Sequence, residues 1–324
     1  MTPRQNFKDI IASSSRVFAI GVAGDSGSGK TTFTNAIRQI FGSSLVDTIT
    51  LDDYHIYNRE QRSALGITPL DPQANALEKL ENDIRTLKAG TGIHKNIYNH
   101  STGLLEGPVY LPPARILILE GLHTLYSPGL RDLLDFSIYV DPAAAVTREW
   151  KIKRDMKKRG YSKREVSEEI SRRMEDYHAY IAPQRKYADV VIEIGFSKYG
   201  RDLGWARNIY RITLVQSRLE KSLGQARLDI DLLPLLTSVT YSFMLEFRAI
   251  EKEGRQMGAL TFDGEIPHDI IRRLERTVER QTGISPINIR SGTDPVTATD
   301  IARLMISWMI INRRIFLENE TGTC

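Results

Sequence analysis

The segment Ile49–Arg59, ITLDDYHIYNR, sets two carboxylates, a histidine and an arginine directly after a run that reads as a buried strand. A second chemical signature lies upstream. Residues 24–31, GDSGSGKT, fit the pattern G-x-x-x-x-G-K-[ST], whose glycines let backbone N–H groups and a helix N-terminus wrap closely around phosphates. In that pattern Gly24, Asp25, Ser26, Gly27, Ser28, Gly29, Lys30 and Thr31 form the nucleotide cradle, and Thr32, the next residue, is counted with them. Lys30 reaches the terminal phosphates, and the Thr31 hydroxyl ligates Mg²⁺.

The surrounding sequence supplies the context such a cradle needs. Residues 17–22 (VFAIGV) read as a strand ended by glycines, and TTFTNAIRQIF after the loop has helical periodicity. Further buried-type strands are expected at 45–51, 115–119 (RILIL), 136–140 (FSIYV) and 188–194 (ADVVIEI), separated by helices or loops. Near-continuous apolar strands alternating with helices predict an α/β fold with a mostly parallel doubly wound sheet carrying the P-loop. After Gly195 the pattern changes. GFSKYGRDLGWA reads as a junction, whereas RITLV, SVTYSFMLEF and MGALTF alternate like antiparallel strands. Asp263-Gly264 reads as a turn, HDIIRRLERTVERQ as a helix stopped by Gly283, and Ile301–Phe316 as a core helix interrupted by arginines and too short to span a membrane. The expected division is 1–198 for a P-loop domain and 199–324 for a smaller α+β part.

In a doubly wound sheet the segment at Asp52 leaves its strand beside the phosphate cradle. Phosphorylating an alcohol requires a carboxylate there to accept the hydroxyl proton, which makes Asp52 the candidate base. Asp53, one residue on, is expected to point elsewhere, as a capping or surface acid. His55 and Arg59 suit the hydroxyls and phosphate of an acceptor. Glu120, at the end of RILILE, is placed to hold Mg²⁺ as the acid following a core strand, while His123 reads as structural.

Charge is concentrated. Residues 148–164, REWKIKRDMKKRGYSKR, carry nine Lys/Arg against two acids on a chain whose net charge is only +4, so the remainder is net negative. At helical spacing Lys151, Arg154 and Lys158 share a face with Asp155, and Asp155 and Arg159 form an i,i+4 pair. A basic lid closing over phosphates explains this pattern better than a solvated helix. With 324 residues, 41% hydrophobic and 26% charged, the chain falls in the ordinary globular class. MTPRQNFKDIIASSS has no apolar run after a basic start, so no signal peptide is expected. The single cysteine, Cys324, fits a reducing cytoplasm and permits no disulfide within one copy of the chain. No guanine-recognition Asn-Lys-x-Asp occurs, and neither a broad nucleic-acid surface nor a membrane partner is expected.

These residues resemble the phosphoribulokinases, within the wider uridine kinase and pantothenate kinase P-loop group. The resemblance rests on GDSGSGKTTF, LDDYH, IYNHSTGLLEGP, ILILEGLH, RDLLDFSIYVD, EWKIKRDMKKRG and PQRKYADVVIEI, and is weaker beyond residue 200. It implies ATP-dependent phosphorylation of ribulose 5-phosphate to ribulose 1,5-bisphosphate, carbon-fixation chemistry, with Asp52 as base and Lys30 and Arg159 as further catalytic groups. It also implies that His55, Arg59, Tyr98, His100, Lys151 and Arg154 contact substrate. Thr31, Glu120 and Asp155 would attend the metal, and residues 199–324 would join a homodimer. The plant-type enzymes carry regulatory cysteines, one inside this loop; here Ser28 stands there and no cysteine pair exists. Two other readings remain open from the residues themselves, a nucleoside or pantothenate kinase and a P-loop regulatory ATPase.

Overall fold

The structure, a computed structural model, describes residues 7–159, 162–199, 210–217, 243–252, 254–266, 268–287 and 296–321. In chain order the strands are β1 (Phe18–Gly24), β2 (Val46–Thr50), β3 (Ile93–Asn99), β4 (Leu104–Leu111), β5 (Ile116–Gly121), β6 (Phe136–Pro142), β7 (Val190–Phe196), β8 (Tyr210–Ser217), β9 (Phe243–Lys252), β10 (Arg255–Ile266) and β11 (Val296–Thr297). The helices are α1 (Phe7–Ser13), α2 (Lys30–Phe41), α3 (Arg59–Leu65), α4 (Leu77–Lys88), α5 (Pro128–Leu133), α6 (Ala144–Arg159), α7 (Lys163–Arg172), α8 (Arg272–Thr282) and α9 (Ala298–Thr321). The chain forms two compact units. One comprises Ser15–Thr34 and Leu45–Ala188; the other takes in the described residues of Met1–Ser14, Asn35–Ser44 and Asp189–Cys324.

In the first unit β6, β1, β5 and β2 pair in that order, all parallel. Every residue of β1 is buried, as a strand covered on both faces requires. One face receives α4, whose Leu80, Ile84 and Leu87 recur at helical spacing and pack with Ala19, Ile49, Leu117 and Leu119. Burying each such leucine or isoleucine contributes about 1.5–3 kcal/mol. At the strand's start a buried carboxylate fixes the sheet. Asp135 accepts the Ala19 N–H at 2.8 Å, Arg16 at 2.7 Å and Lys88 at 2.8 Å.

A separate hairpin, β3 and β4, pairs antiparallel with an irregularity between Lys95 and Ile97. Its turn explains why no strand is evident from IYNHSTG. Asn99 Oδ1 accepts the Ser101 and Thr102 N–H groups, and Gly103 follows at φ +77°, so polar turn chemistry occupies the middle of the motif.

In the second unit β8 pairs antiparallel with β7 and with β10, and β10 pairs with β9 on its other edge and with β11 near its end. The turn expected at Asp263-Gly264 is absent. Both residues lie inside the ladder, opposite Met244 and Phe243, because apolar alternation continues on either side of them; Gly264 tolerates its φ of +90° and the hairpin closes at Gly254, φ +72°. The helix expected over 268–283 begins as a 3-10 turn, His268–Ile270, and then runs as α8 to Gly283, whose φ of +75° provides the stop. The expected core helix is α9, with Ile301, Leu304, Met305 and Ile310 buried. Of the expected junction, residues 200–206 lie outside the described residues, as do 238–242 of SVTYSFMLEF. Among the described residues no helix is long and apolar enough to cross a membrane.

Because Asp135 leaves two cations and a strand N–H without their shared acceptor when truncated, Asp135→Ala should lower the unfolding free energy by about 3 kcal/mol in urea titration. A loss below about 1 kcal/mol would show that water replaces the carboxylate.

Candidate active site

Strand register brings the chemistry together. Glu120 on β5 lies opposite Val22 of β1 on one side and opposite Thr50 of β2 on the other. The glycine loop leaves β1 two residues later, and a 3-10 turn, Leu51–Tyr54, leaves β2 at once, so Glu120, the loop and Asp52 share the carboxyl edge of one parallel sheet. Gly24 has φ +145°, and a Cβ there would lie 2.6 Å from the Val140 carbonyl oxygen, so no other residue fits this departure.

Within the loop Lys30 donates to the carbonyls of Gly24 at 3.0 Å and Asp25 at 2.8 Å. Burial lowers the Lys30 pKa, while the carboxylates of Glu120, Asp25 and Asp52 act in the opposite direction. The Thr31 hydroxyl donates to Glu120 Oε1 at 2.7 Å. Two hard oxygen donors side by side at the cradle suit a divalent cation such as Mg²⁺. Among the described residues no group of three or more His, Cys, Asp or Glu is placed to hold a metal ion by itself, so phosphate and water oxygens would complete such a coordination shell. Ser28 is fully buried.

Across from the cradle Asp52 is flanked by two imidazoles, His55 Nε2 at 3.7 Å and His100 Nε2 at 3.6 Å. Tyr98 stands between the histidines, edge-on to both, with ring centroids 5.0 and 5.1 Å away. Arg59 donates to the His100 carbonyl at 2.8 Å and packs against Gly103, so the hairpin turn is tied to the start of α3. Burial lowers the pKa of His55, partly opposed by Asp52. His123 is buried and donates to the Leu70 carbonyl at 2.8 Å, in keeping with a structural role.

Residues invisible to motif reading hold this arrangement. Asp53 is no surface acid: its carboxylate is buried, accepting Lys95 Nζ at 2.5 Å and the Tyr98 N–H at 2.7 Å, which clamps β3 to the turn bearing Asp52. Arg62 is buried, donating to the Tyr98 hydroxyl at 3.1 Å and to the Tyr57 carbonyl. The sequence IHKNIY does not mark Lys95 as inward-pointing, because the ladder is irregular between Lys95 and Ile97 and Ile97 is exposed.

Helix α6 approaches the cradle. Lys151 is buried and pairs with Asp25 at 2.5 Å; Arg154 forks onto Asp155 at 2.8 and 3.1 Å and approaches the Ser26 hydroxyl at 3.4 Å. The Trp150 ring faces Gly29, where a Cβ would meet it at 3.2 Å. Lys151 therefore stands on the nucleotide loop, and Asp155 is held within its own helix by Arg154. The Arg159 side chain lies outside the described residues. Thus Asp25, Ser26, Lys30, Thr31, Asp52 and Glu120 come together, as do Asp52, His55, Tyr98, His100 and Arg59; Thr32 is exposed on the first turn of α2.

A model of the phosphoribulokinase / uridine kinase family matches residues 19–198. Over 179 residues the chain is 47% identical to a phosphoribulokinase of Synechocystis sp., covering 55% of this chain and 54% of that protein. It is 41% identical over 202 residues to the chloroplastic phosphoribulokinase of Spinacia oleracea, covering 57% and 50%. A uridine kinase of Ligilactobacillus salivarius is 33% identical over 183 residues, 54% of this chain and 84% of that one. The chain thus spans about half the length of the phosphoribulokinases it matches. Among solved structures, a phosphoribulokinase from Rhodobacter spheroides aligns with TM-score 0.53 and 21% identity over 84% of this chain and 100% of that one, a likeness of fold. With the family model covering the cradle, the acceptor cluster and α6, more than half of the chain, this protein belongs to the phosphoribulokinase / uridine kinase family.

Proposed function

We propose that this chain transfers the γ-phosphoryl group of ATP to ribulose 5-phosphate, giving ribulose 1,5-bisphosphate and ADP. The observation that carries the reading is the acceptor cluster: a carboxylate, Asp52, between two imidazoles, close enough to the Lys30 ammonium to act on it electrostatically. The relatives named as phosphoribulokinases support the choice of acceptor. So does Arg59, since a cation beside the acceptor suits a sugar phosphate better than a neutral nucleoside.

In this mechanism Asp52 accepts the proton of the attacking hydroxyl while a new P–O bond forms and the bond to the departing ADP oxygen breaks. Lys30, with Arg154 and Arg159 of the lid, neutralises charge on the transferring group. His55, His100 and Tyr98 orient the sugar, Arg59 its phosphate, and Lys151 exchanges between Asp25 and phosphate. Bound Mg²⁺, held by Thr31 and Glu120 with Asp155 as a further acid, would neutralise the β and γ phosphates. We further propose that residues 1–198 perform the transfer and that 199–324 build a homodimer in a reducing cytoplasm. Sedimentation of the full chain as a monomer at micromolar concentration would count against the dimer.

A coupled ADP-release assay across ribulose 5-phosphate, uridine and pantothenate tests the acceptor. The highest kcat/KM is expected for ribulose 5-phosphate; a higher value with either alternative overturns this choice. Asp52→Asn should lower kcat by about 10²-fold or more while ATP affinity is retained. Unchanged kcat would remove Asp52 as the base.

A further inference from the structure

His55 is held from behind by one side chain. The backbone of 54–56 is stitched to that of 74–76: Ile56 N–H donates to the Ala74 carbonyl at 2.9 Å, and Ala76 N–H to the Tyr54 carbonyl at 2.8 Å. This pairing sets the buried Asn75 side chain against the imidazole, Oδ1 to Nδ1, at 2.8 Å.

The amide cannot be turned over. Asn75 Nδ2 spends its two protons on the carbonyls of Pro69, at 3.2 Å, and Asp71, at 2.8 Å; an oxygen in that position would face two acceptors with nothing to donate. Oδ1 must therefore face His55. A carbonyl oxygen only accepts, so the proton in the contact belongs to Nδ1. In the neutral ring Nε2 then carries a lone pair, directed at Asp52 Oδ1 across 3.7 Å, beyond direct hydrogen-bond length. The groups facing the ring support the neutral state: burial is the largest influence and lowers its pKa, Arg62 and His100 lower it further, and Asp52 and Asn75 oppose them. His123, the next imidazole, is also pushed down by burial.

We propose that Asn75 is a positioning residue that fixes His55 as the Nδ1–H tautomer, so that Nε2 and the Asp52 carboxylate form a pair of adjacent acceptors. Such a pair binds a molecule that offers two hydroxyl donors, one to be deprotonated by Asp52 and a second to be held by His55. A polyhydroxyl acceptor satisfies both sites; an acceptor with a single alcohol leaves one buried lone pair without a donor. The tautomer follows from the hydrogen-bond network alone. Its consequence for the acceptor rests on the function proposed above.

Long-range ¹H–¹⁵N correlation spectra of the full-length protein above neutral pH test the tautomer directly, with His55 assigned by loss of its signals in His55→Gln. The expected pattern is a protonated Nδ1 and an unprotonated Nε2. A protonated Nε2 in the wild-type protein overturns the proposal, and that result does not depend on any Asn75 variant folding. Asn75→Ala should shift His55 toward the Nε2–H form and raise KM for ribulose 5-phosphate about tenfold, with KM for ATP unchanged. A tautomer unmoved by this substitution overturns the role of Asn75; a moved tautomer with unmoved KM overturns the role of Nε2 toward the acceptor. Asn75→Asp, which still accepts from Nδ1 but adds negative charge, should raise the pH at which His55 titrates in the same spectra. Should the tautomer be as proposed while ribulose 5-phosphate is not turned over, the acceptor assignment falls and the tautomer assignment stands.

Discussion

The hydrogen-bonded register of β5 between β1 and β2 is the constraint on which the site depends. Parallel pairing sets Val22, Glu120 and Thr50 level with one another, and the chain then leaves the sheet at all three positions toward the same edge. A slip of one residue in either ladder would turn every side chain of the strand to the opposite face and remove Glu120 from Thr31. Asp135 protects that register from the far end, using one carboxylate to hold the first strand's backbone and two cations from different segments. The geometry of the candidate site at the carboxyl edge is therefore secured partly by electrostatics at the amino edge.

Buried charge recurs among the described residues of this unit, and much of it is paired with opposite charge. Asp53 with Lys95, Asp25 with Lys151 and Asp155 with Arg154 each satisfy the charge that burial would otherwise penalise. Replacing such pairs with apolar residues would often cost little stability. What apolar residues could not do is fix directions. Asp53 bonds a side chain and a backbone N–H of the same strand, which orients Tyr98 and, through it, the edges of two imidazoles.

Much of the cradle was legible because its chemistry is local. GDSGSGKT needs only a strand before it and a helix after it, and both are written in adjacent residues. Asp52 and Glu120 were legible for the same reason, each closing an apolar run. The supports were not. Asp53 reaches Lys95, Arg62 reaches Tyr98 and His55 reaches Asn75 across sequence separations of 42, 36 and 20, and a polar residue in a loop carries no mark of a distant partner. Lys151 shows the converse limit: helical spacing correctly grouped it with Arg154, yet only the fold reveals that its ammonium meets Asp25. In the second unit, Asp263-Gly264 imitated a turn because local propensity cannot report that a neighbouring strand continues past it.

The β3–β4 hairpin forms its own two-stranded ladder, with Ile97, Leu104 and Tyr110 exposed on it, while Ile93 packs with Leu51, Tyr54 and the sheet's Ala19 and Leu117, and Asp53, Arg59 and Arg62 tie it to the Asp52 segment. Substitution on its exposed side leaves those buried ties untouched, whereas substitution at Ile93, Lys95 or Tyr98 reaches the turn that bears Asp52. The hairpin thus has an outer side open to solvent and an inner side that cannot be altered without moving the carboxylate and imidazoles it supports.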